Sequence, residues 1–108
     1  MLPYKPSENR PTYDLELVQQ LVGQGPLSRL ITSAARRGAR ECGFTATGII
    51  VDAVLALSPA NFYKTMEAER CPGLWQDVYH SAFHGVELYI KLQISTEGIG
   101  VVVQFKER

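Results

Sequence analysis

From Val86 to Lys106 apolar and polar residues alternate with a period of two. Val86, Leu88, Ile90, Leu92 and Ile94 fall on one face, and Glu87, Tyr89, Lys91, Gln93 and Ser95 on the other. That period predicts a strand with one buried and one polar face. A second strand follows, with Ile99, Val101, Val103 and Phe105 on the core face and Gly100, Val102, Gln104 and Lys106 opposite. The intervening "TEG" predicts a hairpin turn. A loop centred on Glu97 and Gly98 pairs residues whose numbers sum to 195, which sets Tyr89 opposite Lys106 and Lys91 opposite Gln104. If "HG" at 84–85 is another two-residue turn, the preceding strand sets Gln76 opposite Gln93 and His80 opposite Tyr89. The same register turns Asp77 inward beside Trp75 and Tyr79, where a carboxylate needs a partner.

Upstream of Leu74 the apolar period is helical. Prolines at 3, 6 and 11 predict an extended arm over residues 1–13. Asp14 then caps a helix with Leu15, Val18, Leu21 and Val22 on one side, and "GQGP" ends it. A second helix over Thr32–Cys42 carries Arg36, Arg37 and Arg40 and stops at Gly43. Thr47 opens a third through "GIIVDAVLAL", and "LSPANFYKTM" reads as a short fourth, with Ser58 as cap and Pro59 at the first helical position.

Composition narrows the options. A chain of 108 residues, 45% hydrophobic and 20% charged, predicts one globular domain over 1–108. Eleven basic and eleven acidic residues cancel, so a polyanion partner has to be held by a local patch rather than by overall charge. Cys42 and Cys71 have neither disulfide nor zinc spacing, and reduced, buried thiols in a cytoplasmic protein are expected. No apolar run approaches a membrane span, and the start lacks the hydrophobic stretch of a signal peptide. Carboxylates are scattered without ligand spacing, which disfavours a metal-assisted nuclease. The Arg36, Arg37 and Arg40 cluster offers a second reading, a non-catalytic module that binds nucleic acid or protein.

Four ordered blocks, "LSPANFYKTM", "LWQDVY", "LYIK" and "FKER", resemble the corresponding blocks of the MqsR family of toxin ribonucleases. The resemblance implies a RelE-like α+β fold, with N-terminal helices packed on a mainly antiparallel sheet formed largely by the C-terminal third. It implies the toxic half of a type II toxin–antitoxin pair, cutting mRNA at GC-containing triplets with no metal or other cofactor. The partner implied is an antitoxin with a helix-turn-helix DNA-binding domain and a metal-binding segment. Position by position, the family's catalytic residues correspond to Lys64, Gln76, Tyr89 and Lys106, and its substrate contacts to Tyr63 and Met66. These side chains suit the chemistry, because RNA brings its own nucleophile in the 2′-hydroxyl. The protein has only to remove that proton, stabilise the phosphorane and protonate the leaving 5′-oxygen. Trp75, Phe62 and Tyr79 are expected in the core, with Lys64 and Gln76 facing the substrate.

Overall fold

The computed structural model describes residues 9–108. Of the expected arm, residues 1–8 lie outside the described residues. Residues 9–13 have no regular structure and lead into helix α1 (Leu15–Gly23). Asp14 caps it, its side chain accepting from the Glu16 amide at 3.1 Å. There follow strand β1 (Arg29–Ile31), helices α2 (Ser33–Glu41) and α3 (Thr47–Leu55), a single 3-10 turn at Pro59–Asn61, and strands β2 (Phe62–Ala68), β3 (Cys71–Phe83), β4 (Val86–Ile94) and β5 (Gly100–Glu107). The strands form one sheet in the order β1-β5-β4-β3-β2, antiparallel throughout except for the parallel β1–β5 pair. The fold is α+β, with N-terminal helices on a sheet built mainly by the C-terminal part of the chain.

Two elements differ from expectation. The helix expected through "LSPANFYKTM" is only the 3-10 turn, capped reciprocally by Ser58 and Asn61, after which the chain enters β2. The Ser-Pro signal is real but is spent in three residues. Phe62, Tyr63 and Thr65 favour strand, and β3 offers them an edge to pair with. Strand β1 was not expected, since three residues are too few to show a period. Its pairing is decided by β5.

The hairpin registers explain the site. At β3–β4, His84 (φ 51°) and Gly85 (φ 77°) both take the left-handed region that a two-residue turn demands, and His80 pairs with Tyr89 as expected. At β4–β5 the turn holds three residues: the Ser95 amide donates to the Ile99 carbonyl at 2.8 Å, and Gly98 has φ 81°. Pairing beside this turn is therefore one residue off the expected register, with Leu92 opposite Val102. A bulge at Val103 restores it, so that Lys91 faces Gln104 and Tyr89 faces Lys106. The correction falls on the valines. Val102 is fully buried in the core, whereas Val101 and Val103 belong to the opposite face.

The helices cover one face only. Val18, Val22, Ala35, Ala39, Ile50 and Val54 bury Tyr79, Leu88, Ile90, Leu92, Val102 and Phe105. Helix α2 comes closest, through Ala35, Gly38 and Ala39 against β5. The inward carboxylate of Asp77 has its partners here. Its two oxygens accept from the Thr12 and Tyr13 amides, each at 2.9 Å, and strap the lead-in of α1 to the sheet. The hydroxyls of Thr12 and Thr65 bond beside them at 2.6 Å. Asp77→Ala removes the acceptor of two part-buried amides and is expected to destabilise the protein by about 2 kcal/mol, read from urea denaturation. An unchanged midpoint would show that the strap carries no stability.

Trp75 is corrected outward. It is half-buried, lies outside the core cluster and pairs with Glu67 near the end of β2. Phe62 packs against the core and Tyr79 lies within it, as expected. Cys42 is half-buried and Cys71 exposed, so the expectation of buried thiols fails for both; neither forms a disulfide.

Candidate active site

The sheet face without helices presents its side chains in rows, because cross-strand partners share a face. One row runs Tyr63, His80, Tyr89 and Lys106; the next runs Lys64, Val78, Lys91 and Gln104; the third holds Met66, Gln76 and Gln93. All six residues nominated from the sequence, Lys64, Gln76, Tyr89, Lys106, Tyr63 and Met66, thus share one face. A β-bulge between Phe62 and Lys64 turns Tyr63 to this side.

In the first row the rings are ordered. Tyr63 stacks on His80 with centroids 4.0 Å apart and planes 19° apart, and His80 leans on Tyr89 at 5.9 Å. The ammonium of Lys106 sits 4.9 Å from the Tyr89 centroid, that of Lys91 6.0 Å from it, and that of Lys64 5.7 Å from the Tyr63 centroid. Three cations therefore border two phenol rings. The outer face of this stack is open, since Tyr63 is 55% exposed.

In the third row Gln76 is almost fully buried. Its amide nitrogen donates to Gln93 Oε1 at 2.8 Å, which fixes the amide's orientation and leaves a second hydrogen to give. Beside it opens a cleft of about 610 Å³ bordered by Arg70, Gln76, Lys91, Gln93, Val103 and Gln104. A larger hollow of about 750 Å³ lies between the lead-in and α1, with Leu57 and Tyr79, and holds none of the nominated groups.

The electrostatics separate the roles. Burial, with a smaller contribution from Tyr63, raises the Tyr89 pKa, so the phenol keeps its proton. Burial, then Arg108 and Lys64, lowers that of His80, which favours the neutral, stacked ring. Burial also lowers that of Lys91; Glu69 opposes the shift, while Lys106 and Lys64 add to it. Among the described residues, no three of His, Cys, Asp and Glu cluster closely enough to hold a metal ion.

The sequence reading put Lys91 on this face but did not nominate it. The available signal was its place two residues after Tyr89 on the same strand, opposite Gln104. Arg36, Arg37 and Arg40 are exposed on α2, on the other side of the sheet, and Arg36 is engaged with the Ile31 carbonyl and the Thr47 hydroxyl.

Fold and face together define a class: a small α+β protein whose uncovered sheet surface offers ammoniums, a buried amide and stacked rings to a phosphodiester. The chain matches, over residues 10–107, the model of the family described as motility quorum-sensing regulator, toxin of MqsA. It is 30% identical over 94 residues to the mRNA interferase toxin MqsR of Escherichia coli (strain K12), covering 87% of this chain and 91% of that one. The chain belongs to the MqsR toxin family.

Proposed function

We propose that this member of the MqsR toxin family is an mRNA interferase that cuts its substrate on the open sheet face without a metal ion. The observation that carries the reading is the gathering of Lys64, Lys91 and Lys106 around the Tyr63 and Tyr89 rings. The substrate's 2′-oxygen attacks the adjacent phosphorus, and the ammoniums of Lys64 and Lys106 stabilise charge on the phosphorane. The free amide hydrogen of Gln76 reaches a phosphate oxygen. Tyr89, with its proton retained, hydrogen-bonds to the phosphate or protonates the leaving 5′-oxygen. Tyr63 stacks an unpaired base, a contact worth about 1–3 kcal/mol, and Met66 lines its path. The activity belongs to a single domain over 1–108 and acts in the cytoplasm. Preference for GC-containing triplets rests on the family resemblance.

The partner is an antitoxin, a reading supported by the family description, toxin of MqsA. We infer that it carries a helix-turn-helix DNA-binding domain and a metal-binding segment. The alternative, a binding module built on Arg36, Arg37 and Arg40, is less well supported, because Arg36 is already engaged within the fold.

The test is cleavage of a purified transcript in EDTA, with the ends analysed. Undiminished cutting that leaves a 2′,3′-cyclic phosphate and a 5′-hydroxyl is expected. An oligonucleotide with a single 2′-deoxy residue at the cut site should resist. Hydrolysis at that deoxy position would show that water is the nucleophile and end the proposal.

A further inference from the structure

Three lysines share this face, and the reaction asks for two opposite properties. Charge stabilisation needs an ammonium, whereas removal of the 2′-hydroxyl proton needs a neutral amine. The three are not placed alike. Lys106 is exposed at the end of β5, and Lys64 lies on the edge strand β2. Lys91 lies on the central strand β4, with Val78 beside it on β3 and Gln104 on β5. Val78 is fully buried although it lies outside the helix-covered core, so the side chains of this row close over one another. Lys91 is half-buried there, and its ammonium is the second cation bordering the Tyr89 ring.

We propose that Lys91 is the general base of the cleavage reaction. Its neutral ε-amine takes the 2′-hydroxyl proton and becomes the ammonium as the 2′-oxygen bonds to phosphorus. The P–O5′ bond then breaks, and the departing oxygen takes a proton from Tyr89 or Lys106. Lys64 and Lys106 serve as cations on the phosphorane. The inference rests on the ribonuclease reading above.

The charged groups facing Lys91 agree with this role. Lys64 of β2 and Lys106 of β5 disfavour a third cation, and among the described residues Glu69 of the β2–β3 turn is the opposing charge acting on it; Arg70 borders the same cleft. Burial is the largest influence and acts in the same direction as the two lysines. Lysine rather than histidine as base gives a rate that climbs with pH through the slightly alkaline range, because the competent form is the deprotonated one. The lowered pKa moves that climb below the range of a free lysine.

The experiment compares the native protein with Lys91→Arg, which keeps the charge but holds its proton, and Lys91→Met, which keeps the length. Single-turnover cleavage is followed from about pH 6 to about pH 10, with melting curves for each variant. Both variants are expected to lose on the order of 10²–10⁴-fold in rate, together with the rising limb. Labelled-lysine NMR of the native protein should show the Lys91 ε-carbon titrating below free lysine. Retention of rate and pH profile in the folded arginine variant would overturn the assignment. So would a Lys91 titration at or above that of free lysine, which settles the matter even if neither variant folds. A native protein that cuts no RNA would instead remove the ribonuclease reading on which the inference stands.

Discussion

Alanine at Lys106 or at Lys64 is expected to slow cleavage by on the order of 10²–10³-fold and to abolish growth inhibition on expression, with the circular dichroism spectrum and melting point unchanged. The rate falls because each side chain brings an ammonium to the face where the phosphorane forms, a charge that matters more in the transition state than in the bound substrate. The fold persists because neither residue packs in the helix-covered core: Lys106 is exposed, and Lys64 is half-buried on the open face. The measurement is single-turnover cleavage beside a thermal melt. A matched loss of melting point would make the lysines structural. The double variant is expected to lose less than the product of the two single effects, since both act on one phosphate.

Gly38→Ala is expected to cost about 3 kcal/mol or more of stability, although alanine is the better helix former by roughly 1 kcal/mol. A Cβ at Gly38 would overlap the carbonyl oxygen of Phe105, with its carbonyl carbon at 3.0 Å and Lys106 Cα at 3.4 Å. The obstacle is backbone in the sheet, so no rotamer relieves it, and either α2 or β5 has to move. Gly48, exposed in α3 with nothing within 4 Å of an added Cβ, is the control. Gly48→Ala should be neutral or slightly stabilising. Urea denaturation of the two variants reads the contrast, and equal midpoints would show that α2 does not seat on β5 as described. Whatever Gly38→Ala protein folds should also cleave poorly, because the displaced residues adjoin Lys106.

Much of the fold was written in local chemistry. Asp14, Thr32 and the glycines at 25 and 43 bound the first two helices as the capping rules predict, because a cap satisfies backbone groups within a few residues of itself. The alternation in β4, with the turn at His84 and Gly85, set the register that brings His80 and Tyr89 together. The errors lie where a partner strand decided. Phe62–Ala68 carries the entry signal of a helix yet pairs with β3, and Arg29–Ile31 becomes a strand only because β5 offers it an edge.

The sequence by itself determined the face. A period of two commits Tyr89 and Lys91 to one side of β4, and the family blocks carry Lys64, Gln76 and Lys106 with them. Tertiary structure alone decided how the two faces of the sheet are completed. The bulge at Val103 lets Tyr89 meet Lys106 across a three-residue turn, the partners of Asp77 come from 64 and 65 residues away, and the central position of β4 half-buries Lys91 between two other lysines. The reason is the range of the forces. Side-chain alternation and capping act between near neighbours in the chain, whereas bulges, burial and the mutual repulsion of ammoniums depend on which strands lie side by side.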